Sequence, residues 1–278
     1  MIEPRRWKLA HGRALDLGAE ALIMGILNIT PDSFSDGGRY VSVESAVDAA
    51  LEMAEQGAAI IDVGGESTRP GAIPVEPAEE QARVLPVIEA LVKHGKCILS
   101  IDTYRAETAR LAVEAGAHIV NDVWGAQKDP AIAGVAAETG AGLVLMHTGR
   151  ERTKLPDVIA DQFSFLRRSL EIATKAGVKE EQIVLDPGFG FAKDTQENIE
   201  IMARFSELSG LGFPLLVGTS RKRFVGHFTN RPASERDVAT AASSALLRLK
   251  GASIFRVHNV PANLDALRLA DAMLAAGK

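Results

Sequence analysis

The chain of 278 residues is 46% hydrophobic and 24% charged, an ordinary balance for a globular protein, which excludes disorder as its main state. Acidic residues outnumber basic ones 36 to 31, and the net charge of −5 excludes a general binder of nucleic acid or anionic membrane, which needs a basic surface. No apolar run approaches the roughly 18 residues of a membrane span, the opening Met1-Ile2-Glu3-Pro4-Arg5-Arg6-Trp7 lacks the apolar core of a secretory signal, and the single cysteine, Cys97, excludes an internal disulfide, so a cytoplasmic location is expected.

Residues 1–20 stand outside a repeat that fills the rest of the chain. Trp7–Leu9 and Arg13–Leu17 flank His11-Gly12 as a short hairpin, expected to cap a barrel floor. Short apolar runs bounded by Gly, Pro, Asn or Asp then predict strands over Ala21–Asn28, Ala58–Gly65, Cys97–Thr103, His118–Val123, Ala141–Thr148, Gln182–Gly188, Pro214–Ser220 and Ser253–Asn259. Helical spacing lies between them. Val43, Ala46, Val47, Ala50, Leu51 and Ala54 share one helix face, with Gly57 as the stop. Further helices are predicted over Ala78–His94 (Pro86 as a kink, Gly95 as the stop), Arg105–Ala115, Pro130–Thr139, Asp157–Ala176, Asp194–Ser209, Ser234–Lys250 and Pro261–Ala275, with Ser234 as an N-cap and Gly251 closing the same helix. Strand then helix, eight times, with strands apolar on both faces, predicts an α/β fold: a single-domain (β/α)8 TIM barrel over 1–278, the hairpin in 1–20 and the barrel in 21–278. An open doubly wound sheet is the rival; no Gly-x-Gly-x-x-Gly follows the first strand to favour it.

Each predicted strand stops on polar groups: Asn28; Gly64-Gly65-Glu66-Ser67-Thr68-Arg69-Pro70-Gly71; Asp102; Asn121-Asp122; His147; Asp186; Ser220-Arg221-Lys222; Arg256 and His258-Asn259. One such residue is a cap or a turn, but eight convergent cases point to a lined pocket. Asp102, Asn121, Asp122 and Asp186 suit a ligand edge rich in N–H donors. Arg69, Arg221, Lys222, Arg256 and His258 suit an anion. Zinc is not expected from one Cys without paired His, nor a hydrolase triad without a Gly-x-Ser-x-Gly elbow. The loop from Thr30 to Gly38 is rich in glycine and hydroxyls and is expected to move over a substrate. Asn28 with Asp32 or Asp36 is a candidate pair for Mg2+ beside a diphosphate. Asp62 and Glu66 are assigned to structure, as are His11, His94, His118 and His227. Cys97 is expected to be inert.

Gly25-Ile26-Leu27-Asn28-Ile29-Thr30-Pro31-Asp32-Ser33-Phe34-Ser35-Asp36-Gly37-Gly38 closely resembles the first signature of the dihydropteroate synthase family, and Asp62-Val63-Gly64-Gly65-Glu66-Ser67-Thr68-Arg69-Pro70-Gly71 its second. Ser100-Ile101-Asp102-Thr103, Asn121-Asp122, Leu185-Asp186-Pro187-Gly188-Phe189-Gly190-Phe191, Ser220-Arg221-Lys222 and Arg256-Val257-His258 continue the likeness in order. The resemblance implies a transferase of folate synthesis that joins (7,8-dihydropterin-6-yl)methyl diphosphate to 4-aminobenzoate. It implies pterin binding by Asp102, Asn121, Asp186, Lys222 and Thr68, and diphosphate binding by Asn28, Arg69, Arg256 and His258. It implies an aminobenzoate site of Thr68, Arg69, Pro70, Ser220 and Lys222. Asn28 would hold Mg2+, and Lys222, Asp102, Arg256 and His258 would be catalytic. Sulfonamide inhibition and a homodimer are further implications, with small-molecule partners and neither nucleic acid nor membrane. A methyltransferase barrel that uses methyltetrahydrofolate and a non-catalytic pterin-binding paralogue are the alternatives. Thr148-Gly149-Arg150, Trp124 and Asn259 depart from the family pattern, which bears on the fifth loop and local packing.

Overall fold

The computed structural model describes residues 4–29, 42–67 and 75–277. The expected movement of the loop at 30–38, and the positions of Asp32, Asp36, Thr68, Arg69 and Pro70, lie outside these residues.

A short antiparallel hairpin comes first, β1 (Arg5–Lys8) with β2 (Ala14–Leu17), in register from Arg5–Leu17 to Lys8–Ala14. Eight parallel strands follow: β3 (Leu22–Asn28), β4 (Ile60–Gly64), β5 (Ile98–Asp102), β6 (Ile119–Asp122), β7 (Gly142–Met146), β8 (Ile183–Asp186), β9 (Leu216–Val217) and β10 (Ile254–Val257). The sheet runs β8-β7-β6-β5-β4-β3-β10-β9, and a parallel bridge between Leu185 and Leu215 brings its two edges together, with Leu185 N–H donating to Pro214 O at 3.0 Å. That contact makes the sheet a barrel and removes the open-sheet rival. All eight predicted strands form, each shortened to its apolar centre.

Helices α1 (Val43–Glu55), α2 (Pro77–His94), α3 (Ala106–Glu114), α4 (Ala131–Thr139), α5 (Val158–Ala176), α6 (Thr195–Ala203), α7 (Arg223–Thr229) and α8 (Asp237–Leu249) lie in the crossovers, and α9 (Val260–Ala276) follows the last strand. Their apolar faces pack on the outside of the strands: Ala46, Val47 and Ala50 of α1 and Val84, Val87, Ile88 and Leu91 of α2 belong to one continuous core with Ile61, Val63, Leu99 and Ile101. α2 passes Pro86 without ending and stops at Gly95, which adopts φ +63°.

A second core fills the barrel's lower end. Met24, Ile60, Ile98, Ile119, Val144, Val184, Leu216 and Ile254, one from each strand, form a layer closed from below by Trp7, Leu9 and Leu17 of the hairpin region. Trp7 Nε1–H donates to Gln182 O at 2.8 Å, which satisfies the buried indole. Gly142 makes room for this stopper, since a Cβ there would lie 2.6 Å from Leu9 Cδ2. The hairpin caps the floor, as its sequence implied.

Three local expectations are corrected. The predicted helix over Asp194–Ser209 is α6 followed by a 3-10 helix, Phe205–Leu211. Phe205, Leu208 and Leu211 are all buried, and their spacing of three fits the tighter turn. Ser234 does not cap α8. It sits in a 3-10 turn (Ala233–Glu235), and α8 begins only at Asp237, whose carboxylate is tied by Arg221 and Asn259. Helix α7 was not anticipated. It carries Gly226, where any Cβ would run into the Arg236 guanidinium crossing above it.

Candidate active site

The register of the sheet lays the polar strand ends in rows. Asn28 pairs with Gly64, Gly64 with Asp102, and Asp102 with Asn121, so four neighbouring strands offer these residues at one height. β8 adds Asp186 and β10 adds Arg256. Asp102, Asn121 and Asp186 are nearly sealed from solvent at 7%, 3% and 5% exposure.

Arg256 organises the centre. Its Nη2 donates to Asp102 Oδ2 and its Nε to Asp62 Oδ2, each at 2.6 Å. Two carboxylates thus share one guanidinium. Burial pushes Asp102 up to about 7 despite Arg256, with Asp62 adding to the rise. Asn121 Nδ2 donates to the same Asp62 Oδ2 at 3.1 Å. Asp62 therefore belongs to the site, which corrects its assignment to structure alone. The available signal was a lone carboxylate inside the run Ile60-Ile61-Asp62-Val63.

Asp186 Oδ1 accepts Gly188 N–H at 2.7 Å, and burial raises its pKa against that bond and Lys222. Gly188 is required where it stands. It has φ +64°, and a Cβ would lie 1.9 Å from His147 O. Lys222 occupies the residue before α7, donates to Phe189 O, and lies over the Phe191 ring at 4.2 Å. Burial brings Lys222 down to about 7, offset in part by Asp186. Ser220 and His258 meet directly, Oγ to Nδ1 at 2.9 Å, joining the ends of β9 and β10. Arg221, grouped by sequence with the anion donors, instead pairs bidentately with Asp237 at 2.8 Å. His147 is a structural group bound to Asp161 at 2.9 Å, and burial lowers it to about 3. His118 accepts Leu99 N–H at 3.1 Å and is likewise structural.

Two more cations were missed. Lys193 Nζ donates to Gly188 O at 2.8 Å, and burial pulls its pKa well below the usual lysine range. Arg150, in the departing loop, lies 4.7 Å over the Phe191 ring and 5.7 Å over that of Trp124. Arg150 thus ties the loop to the rings of Trp124 and Phe191. Asn259, the third departure, caps α9 by accepting Ala262 N–H.

For a divalent cation, Gly64 keeps the space beside Asn28 clear: a Cβ there would sit 3.7 Å from Asn28 Oδ1 and 3.6 Å from Asp102 Oδ2. Among the described residues no group of three His, Cys, Asp or Glu forms a cage. One amide oxygen, with only a glycine beside it on the next strand, fits Mg2+, which keeps several waters and takes few protein oxygens alongside phosphates.

Buried acids and the cations paired with them define a parallel barrel with a polar cup at its strand tips. Residues 24–258 match the family described as pterin binding enzymes. A dihydropteroate synthase of Bacillus subtilis is 49% identical over 264 residues, covering 95% of this chain and 92% of that protein. The Xanthomonas albilineans dihydropteroate synthase solved with 4-aminobenzoic acid superposes with a TM-score of 0.91 at 42% identity, covering 96% of this chain and 98% of that one. The Yersinia pestis dihydropteroate synthase solved with a sulfonamide drug complex gives 0.88 at 39% identity, with the same coverage. The chain belongs to the dihydropteroate synthase family of pterin-binding enzymes and is, like its relatives, a transferase.

Proposed function

We propose that the chain, acting as one domain over 1–278, condenses (7,8-dihydropterin-6-yl)methyl diphosphate with 4-aminobenzoate to give 7,8-dihydropteroate and diphosphate. The observation that carries this reading is the row Asn28–Gly64–Asp102–Asn121 facing Arg256, with Asp186 and Lys222 across the cup. Asp186 accepts two N–H groups from the guanidine-like edge of the pterin, as a carboxylate does from Arg. Asn121 and Lys222 hold the same ring. Arg256, His258 and Arg69 bind the diphosphate, and their charge stabilises it as the C–O bond breaks. Asn28 would hold Mg2+, which would supply further neutralisation of that charge when bound. Asp102 stabilises the positive charge left on the methylene and pterin. The aryl amine is neutral near pH 7, so its attack needs no strong base. Thr68, Arg69, Pro70, Ser220 and Lys222 form the aminobenzoate subsite, where sulfonamides compete.

The reading includes a cytoplasmic homodimer. Val238, Leu246 and Leu249 of α8 and Leu269 and Met273 of α9 are exposed apolar residues on two packed helices, which supports association through that face. Among the described residues no helix is long and apolar enough to cross a membrane. The deciding experiment measures diphosphate release from the pterin substrate with and without 4-aminobenzoate. Release that requires 4-aminobenzoate supports the reading. Binding without release supports a paralogue, and transfer from methyltetrahydrofolate supports the methyltransferase barrel.

A further inference from the structure

We infer that Asp62 is a positioning residue that sets substrate specificity: its carboxylate fixes the orientation of the Asn121 amide, so that position 121 presents an acceptor to the ligand. This inference rests on the pterin reading of the cup.

Asp62 is wholly buried in the middle of β4. A carboxylate there is costly unless it is paired and hydrogen-bonded. Its Oδ2 takes Arg256 Nε–H at 2.6 Å and Asn121 Nδ2–H at 3.1 Å. An ionised carboxylate only accepts, so the Asn121 atom against it must be the amide nitrogen. That choice turns Asn121 Oδ1 away from Asp62, as the group available to a ligand. A ligand edge with an N–H donor at that point is accepted, and one with a ring nitrogen or carbonyl meets oxygen with a lone pair. Arg256 is fixed by the same oxygen and by Asp102, so the guanidinium and the amide are oriented together. The second observation is a set of buried polar atoms without a partner among the described residues: Asp62 Oδ1, Ser100 Oγ and Asp102 Oδ1. Asp62 and Ser100 are register partners on β4 and β5. Native proteins rarely leave such atoms unpaired, and their grouping here marks spare acceptor capacity beneath the strand tips, reached through Asp102.

The experiment titrates 6-hydroxymethylpterin, without diphosphate or 4-aminobenzoate, into the full chain by calorimetry, so that affinity reads the pterin end alone. Asp62→Asn is expected to weaken binding about tenfold or more, the scale of one hydrogen bond to a charged group. Asn121→Asp, which sets two carboxylates in contact, is expected to weaken it similarly. The pair Asp62→Asn with Asn121→Asp rebuilds an amide–carboxylate bond with an acceptor turned to the ligand. It is expected to recover to within about threefold of the unaltered chain, a difference below one hydrogen bond. A structural role alone predicts that the losses add in the pair. Single variants that bind like the unaltered chain, or a pair no better than its weaker member, overturn the inference. If Asp62→Asn fails to fold alone, the pair decides: folded and binding supports the inference, and folded but not binding, or unfolded, overturns it. An unaltered chain that binds no pterin overturns the reading of the cup itself, and the two failures are thereby distinct.

Discussion

Gly190 is the lever by which backbone conformation controls Lys222. It adopts φ +78°, and a Cβ there would lie 2.9 Å from Lys222 Cδ. Carbon atoms pack at about 3.5–4.0 Å, so Gly190→Ala must displace the lysine stem by roughly 1 Å. The left-handed backbone itself costs an alanine roughly 1–2 kcal/mol. Gly212 is a matched control: its φ is +80° and nothing lies within 4 Å of its Cβ position. Gly190→Ala and Gly212→Ala are therefore expected to lose similar stability in urea denaturation, apart from any strain at the lysine contact. Only Gly190→Ala is expected to lose turnover, on the order of 100-fold, the scale of a 1 Å misplacement in an active site. Steady-state kinetics at a temperature where both variants are folded supply the comparison. Equal turnover in the two variants would refute the placement of Lys222 in the reaction.

Three further outcomes follow from the site and the floor. Asp102 is raised to about 7 and loses its charge as pH falls through that value, whereas Lys222 is lowered to about 7 and loses its charge as pH rises through it. The profile of kcat/KM is thus expected to be a bell centred near pH 7, and Lys222→Arg, whose charge does not titrate, is expected to flatten the alkaline limb; an unchanged alkaline limb refutes the assignment. Asp186→Asn removes the charged acceptor of the pterin and is expected to lower kcat/KM by about ten- to a hundredfold with an unchanged melting temperature; kinetics like those of the unaltered chain would remove Asp186 from the site. Trp7→Ala empties the floor and strands Gln182 O, a loss of about 3–5 kcal/mol in chemical denaturation, while the folded variant keeps its kinetics because the cup is at the opposite end. A large loss of turnover with little loss of stability would contradict that separation.

The barrel was legible because strand centres such as Gly142–Met146 are apolar and buried on both faces, and even Ile60–Gly64 carries a single polar interruption, Asp62. The polar strand tips were legible for the converse reason, since Asp102, Asn121 and Asp186 end apolar runs. What escaped depends on neighbours distant in sequence. Asp62 gains its place from Arg256, 194 residues away. Arg221 has a cation's composition but spends it on Asp237. Ser234 has the chemistry of a cap, yet the start of α8 is set by the anchored Asp237. Helix α7 is short and contains glycine, so its helicity comes from packing of Phe224 and Val225, which no local propensity announces.

Among the described residues the hairpin stoppers one end of the barrel, so the way in is at the strand tips. Whatever sits deepest arrives first and departs last, so a bulky second reactant waiting at the rim is both the next guest and a door. In the proposed reaction, traffic through that mouth would let the order in which molecules queue shield a short-lived cation from solvent.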